Sequence, residues 1–179
     1  ELARGGGAAR AKVDHGQASV EDVTGGAAIE ASYGAIRLDR VGGTAELTVR
    51  HGSVEGRGLA QGARVRAAGG DVTLDGFSGP ADVELERGNA RLTPRAKLSA
   101  PLSVDVRHGE AELALPDGSG AAVQAESNRG EVRADVPGLG AADPRGRGHR
   151  LTGQVGGGGI AVTLRADGDV RISPRPASA

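Results

Sequence analysis

Glycine recurs in this chain at a fixed period, and that period restricts the fold more than any other feature. Gly16, Gly34, Gly52, Gly70 and Gly88 stand 18 residues apart, and Gly109 and Gly130 follow at intervals of 21. Gly25, Gly43, Gly62 and Gly79 fall midway between the early anchors and divide each unit into two near-equal halves. Apolar residues keep constant offsets from every anchor. Five before it come Ala11, Ile29, Leu47, Val65, Val83, Val104 and Ala125; three before it come Val13, Ala31, Val49, Ala67, Leu85 and Val106, with Ser127 as the exception. Two after it come Ala18, Ile36, Val54, Val72, Ala90, Ala111 and Val132; four after it come Val20, Leu38, Leu74, Leu92, Leu113 and Ala134, with Gly56 as the exception. A spacing of two is the signature of a strand with one buried face, and no 3.6-residue pattern competes with it. Alternation, a glycine corner and a constant period define a β-solenoid in which like residues stack on like.

The sequence therefore predicts an all-β, single-domain β-solenoid (a β-helix) of about eight short coils, each giving one strand to each of two sheets, and a rod about 40 Å long at roughly 4.8 Å per coil. Residues 1–10, with Gly5–Gly7, read as an irregular first segment, and residues 11–136 as the repeats. The period breaks after Val136. Residues 137–150 read as an exposed loop, and 151–173 as closing strands at Leu151–Val155, Ile160–Leu164 and Asp169–Ser173 that cover the last open edge. Residues 174–179 read as a frayed tail. Gly and Ala fill about a third of the chain, with 32 Gly and 30 Ala, and the aromatic rings are Tyr33 and Phe77 alone. Small inward residues of this kind suit two closely spaced sheets.

Composition closes several functional routes. With no Cys there is no disulfide framework, thiolate metal site or cysteine nucleophile. No apolar run approaches the roughly 20 residues of a membrane span. Twenty-two basic and 23 acidic residues are dispersed, which leaves no electrostatic footprint for nucleic acid. Glu1 is not an initiator Met, which marks a processed or excised segment that a signal peptide or membrane anchor can precede.

Two columns stand out. The residue before each anchor is His15, Tyr33, His51, Gly69, Arg87, His108 or Arg129. Stacking argues against a shared metal there, because His15 and His51 lie two coils apart, roughly 9–10 Å, and bonds to zinc are near 2 Å. The column reads as a turn position that tolerates planar polar groups, on which a peptide or glycan can stack. Three residues after each anchor come Ser19, Arg37, Glu55, Thr73, Arg91, Glu112 and Arg133, which reads as a charge ladder with Glu112 between Arg91 and Arg133. Calcium-roll repeats are missing; Gly69-Gly70-Asp71 and Asp167-Gly168-Asp169 are isolated fragments. No nucleophile elbow, phosphate loop or metalloprotease motif occurs. No catalytic, cofactor-binding or metal-binding residue is assigned, and no enzyme activity is expected.

The strings VRHGSVEGRGL, VRAAGGDVTLDGF, ELERGNARLTP, VDVRHGEAELALP and AESNRGEVRADVP, with the ending GQVGGGGIAVTLRADGDVRIS, resemble the bacterial β-strand-repeat proteins grouped as adhesins on architecture alone. The resemblance covers residues 11–173. It implies an extracytoplasmic β-solenoid of the cell envelope, periplasmic or on the surface, that binds an envelope protein or glycan or acts as a spacer. A polymer-forming cytoskeletal scaffold similar to bactofilins is the alternative, and a polysaccharide-acting β-helix enzyme the third reading.

Overall fold

A computed structural model describes residues 2–5, 7–137, 139, 149–157 and 159–175. Sixteen strands form among them: β1 (Leu2–Gly5), β2 (Ala9–Val23), β3 (Ala27–Val41), β4 (Ala45–His51), β5 (Val54–Leu59), β6 (Ala63–Ala67), β7 (Val72–Phe77), β8 (Ala81–Arg87), β9 (Ala90–Pro94), β10 (Leu102–His108), β11 (Ala111–Pro116), β12 (Ala121–Ser127), β13 (Val132–Ala134), β14 (His149–Val155), β15 (Ile160–Ala166) and β16 (Val170–Arg175). The fold is the all-β solenoid that the period predicts. In the first two coils the chain passes the glycine corner inside one long strand, β2 or β3. Later coils break there into pairs such as β4 and β5.

The inward offsets are the core. Ile29 pairs with Leu47, Leu47 with Val65, Val65 with Val83 and Val83 with Val104, all in parallel register and at most 3% exposed. On the other face Ile36, Val54 and Val72 stack in the same way. At Gly56 the ladder lacks a side chain, and a Cβ there would come within 2.9 Å of Leu74 and 3.2 Å of Leu59, which already occupy the space. The anchor glycines are required twice over. Gly52 has φ of 150°, and a Cβ on it would lie 1.6 Å from the Gly34 carbonyl oxygen. Only glycine permits both that backbone and that approach.

Stacking in chain order extends over six coils, from β2 to β10–β11, where about eight successive coils are expected, and then changes. The spatial order of one sheet runs β8, β10, β15, β12, β14, and of the other β9, β11, β16, β13. Two of the three segments expected to close the end are therefore intercalated inside the stack. Leu164 lies between Val104 and Ala125, and Ile172 between Leu113 and Ala134. Only β14 covers an edge, running antiparallel along β12. The turn after β11 steps over one layer. It is pinned by buried Ser119, whose Oγ accepts a hydrogen bond from the Leu98 N–H at 3.1 Å, and by the Gly120 carbonyl, which accepts from the N–H groups of Gly159 and Ile160. Val162, Leu164, Val170 and Ile172 each have an apolar neighbour on both sides, and Ala-rich β12 lies one layer further out, between β15 and β14.

The boundaries also move. Leu2–Gly5 forms a strand along Ser19–Val23 where an irregular segment is expected. His149 and Arg150, assigned to the loop, begin β14. Pro174 and Arg175 continue β16 beside Leu115 and Pro116. Most of the predicted loop, 138 and 140–148, and the tail 176–179 lie outside the described residues.

Candidate functional site

The column before each anchor runs along one edge of the solenoid, where the chain turns from one sheet to the other. Coil stacking sets its register: His15 pairs with Tyr33 and Tyr33 with His51. The three rings form a continuous stack. Their centroids are 5.2 and 5.1 Å apart and their planes tilt by 14° and 21°. That is the offset-stacked range of aromatic pairs. Tyr33 is 51% exposed, so the ladder presents its ring edges to solvent. Next in line is Gly69, where the stack stops. Then come Arg87 and His108 in direct register.

Beyond His108 the sequence column is interrupted by the intercalated layer. Asp167 enters between His108 and Arg129, with its carboxylate 3.4 Å from each. The edge in space therefore reads His15, Tyr33, His51, Gly69, Arg87, His108, Asp167, Arg129. Sequence offsets cannot place Asp167 there, because it lies outside the periodic region. The one signal that could have found it is the Asp167-Gly168 pair, which repeats the pattern of a polar residue before a corner glycine. A Cβ on Gly168 would meet the Gly109 carbonyl at 2.6 Å, and one on Gly130 would meet Gly168 at 2.4 Å, so Gly168 is the missing member of the anchor column. Ser127, the polar exception among the inward positions, holds this junction: its Oγ donates to the Gly168 carbonyl and accepts from the Gly130 N–H, both at 2.8 Å.

The charge ladder forms in part. Arg37 donates to Glu55 at 3.1 Å and Arg91 to Glu112 at 2.6 Å. Glu112 does not stand between Arg91 and Arg133, however. Its neighbour on the far side is Arg171 of β16, and Arg133 turns to Glu131, the residue just before its own strand. The hydrogen bond to Glu131 and then its charge raise the pKa of Arg133. On the outer face of β4, β6, β8 and β10 an open depression of about 460 Å3 mixes Arg50, Arg66 and Arg107 with Asp82, Glu84 and Asp105. Charges of both signs interleave there, as in the Arg66–Glu84 pair at 3.3 Å. Among the described residues no three His, Asp or Glu side chains are grouped to hold a metal ion, and no helix is long and apolar enough to cross a membrane.

Sheet order, corner glycines and the stacked edge together define a parallel β-solenoid of the repeat class. Residues 8–173 match the family profile described as Toastrack DUF4097, and the chain belongs to that family. It is a family of unknown function. Neither the curated proteins nor the solved structures contain a match to the chain.

Proposed function

We propose that this domain is a non-enzymatic binding module of the bacterial cell envelope, working outside the cytoplasm and engaging an extended envelope macromolecule along its edge. The observation that carries the reading is the His15–Tyr33–His51 stack. Three rings are held in register by backbone pairing and present their exposed edges from a rigid scaffold. Aromatic groups fixed in this way lose little conformational freedom on binding, which favours recognition. The envelope assignment rests on the resemblance of the repeat strings and the closing segment to bacterial envelope proteins. A second reading, end-to-end assembly into a scaffold, draws support from β2: among the described residues β1 covers only Ser19–Val23 of it, and Ala9–Val13 pairs on one side alone.

The test is a binding screen of the purified chain against envelope glycans and envelope proteins, with and without chelator. The expected result is saturable, chelator-independent binding that weakens when His15, Tyr33 and His51 are replaced together by Ser. Turnover of a polysaccharide, calcium-dependent folding, or filaments in place of binding would overturn it.

A further inference from the structure

We propose that Gly69 marks an acceptor slot for one aromatic side chain, tyrosine or tryptophan, of a protein partner. This rests on the binding-module reading and gives it a ligand. The template is internal. Tyr33 sits between His15 and His51 with ring centroids about equally far from both, at 5.2 and 5.1 Å. One coil further on, the position between His51 and Arg87 belongs to Gly69. Its backbone is held in the stack by hydrogen bonds at 3.0 Å, from Gly52 N–H to the Gly69 carbonyl and from Gly70 N–H to the Arg87 carbonyl. No ring follows. An open depression of about 370 Å3 remains, lined by His51, Ala68, Gly69 and Arg87.

His51 and Arg87 are two coil spacings apart, about 10 Å, which admits one ring at the separation that Tyr33 keeps from its neighbours. The two walls differ. His51 offers a ring face already stacked on its other side by Tyr33. Arg87 is exposed and pairs with no carboxylate among the described residues, whereas Arg66 and Arg91 are tied to Glu84 and Glu112. A guanidinium free to lie flat attracts the electron-rich face of a π-system, tryptophan best. A pyranose has no such face and would gain from His51 alone. The ring must come from another molecule of a different kind. Phe77 is 1% exposed in the core, and a second copy would have to withdraw Tyr33, the chain's other aromatic residue, from its own stack. The site is shallow, so one ring binds weakly and serves as the anchor of a longer contact.

The experiment is an NMR titration of the full chain with N-acetyl-tryptophanamide, with methyl β-glucoside as the comparison. Upfield ring-current shifts are expected at the Gly69 amide and the His51 imidazole with the indole and not with the glucoside. Gly69→Tyr should abolish them by filling the slot from within. A Cβ at Gly69 meets His51 Nδ1 at 3.5 Å and the Arg50 carbonyl at 3.7 Å, both ordinary contacts, so the variant is expected to fold. Arg87→Ala, a surface change, should weaken binding about two- to fivefold and keeps the test valid if Gly69→Tyr misfolds. Shifts that survive in Gly69→Tyr, shifts of equal size with the glucoside, or none up to the solubility limit would overturn the slot. If an envelope partner then binds wild type and Gly69→Tyr equally, only the slot falls; if no partner binds either, the binding-module reading falls with it.

Discussion

Gly16 and Gly52 occupy equivalent corners, yet they carry different loads. Gly16, with φ of 113°, faces open space, because its column begins there. Gly52 has both the unusual φ and a carbonyl oxygen where its Cβ would be. Gly16→Ala should therefore cost about 1–2 kcal/mol, the strain of an L-residue at that φ. Gly52→Ala should cost more than about 3 kcal/mol, because a whole coil must shift. Urea unfolding of the two variants measures the difference, and equal midpoints would contradict it. The same logic runs in reverse at the corner of Asp22, Arg40, Gly58 and Gly76, where φ is 55° to 72° throughout. Asp22 and Arg40 accept that backbone without being glycine. Their side chains hydrogen-bond across the coils, Arg40 to Asp22 at 2.9 Å, and that bond, the Asp22 charge and the Asp39 charge raise the pKa of Arg40.

A strand of this solenoid is stabilised by its inward column and decorated by its outward one, and the two should respond differently to mutation. Leu85 is 1% exposed between Ala67 and the paired Val106. Leu85→Asp leaves an unpaired charge in a narrow apolar interior and should unfold the domain, at a cost of several kcal/mol. Arg37→Ala removes an ion pair with Glu55 whose Arg side chain is 52% exposed, and should change stability by under about 1 kcal/mol. Thermal melts of both variants check the assignment, and similar midpoints would refute it. At this scale the chain is legible from sequence wherever contacts link neighbouring coils. The offsets of Ile29, Leu47, Val65 and Val83 identify both the strand and its buried face, because a slip of one residue would reverse every side chain. The edge column is legible too from His15 to His108, where each residue directly precedes a periodic glycine. What alternation cannot reveal is the neighbour of β15 or β16. Val162 and Leu164 alternate in the same way whether they cap an end or enter the stack. Arg171 and Asp167 consequently take places beside Glu112 and His108 that the linear repeat assigns to Arg133 and Arg129.

The intercalated layer ties the C-terminal strands into the middle of the stack, β15 between β10 and β12 and β16 between β11 and β13. β12 is in the register that would let it dock on β10 directly. Leu102, Val162 and Val123 share one row, and Val104, Leu164 and Ala125 the next, so the 21-residue offset survives with a layer inserted. Direct docking would also place Glu112 beside Arg133, the pairing that the repeat implies. It would set Asp105 against Glu126, whereas Arg165 now separates those carboxylates. The register of β12 and β13 is thus compatible with a stack that lacks the layer, and in the structure β15 and β16 fill it and bury Leu164 and Ile172. Removing residues 149–179 should therefore let β12 and β13 close onto β10 and β11 in the same register, leaving a shorter folded solenoid. The test is the double variant Asp105→Cys/Glu126→Cys. In the full chain the two positions are two strand spacings apart, about 10 Å, beyond the roughly 7 Å limit of a disulfide. After truncation they become neighbours at about 4.8 Å. Under mild oxidation the truncated chain should lose both thiols while the full chain retains them, with circular dichroism showing β-structure in each. A folded truncated chain that keeps its thiols would mean that the vacated layer stays open, and a full chain that crosslinks would mean that β15 does not lie between β10 and β12.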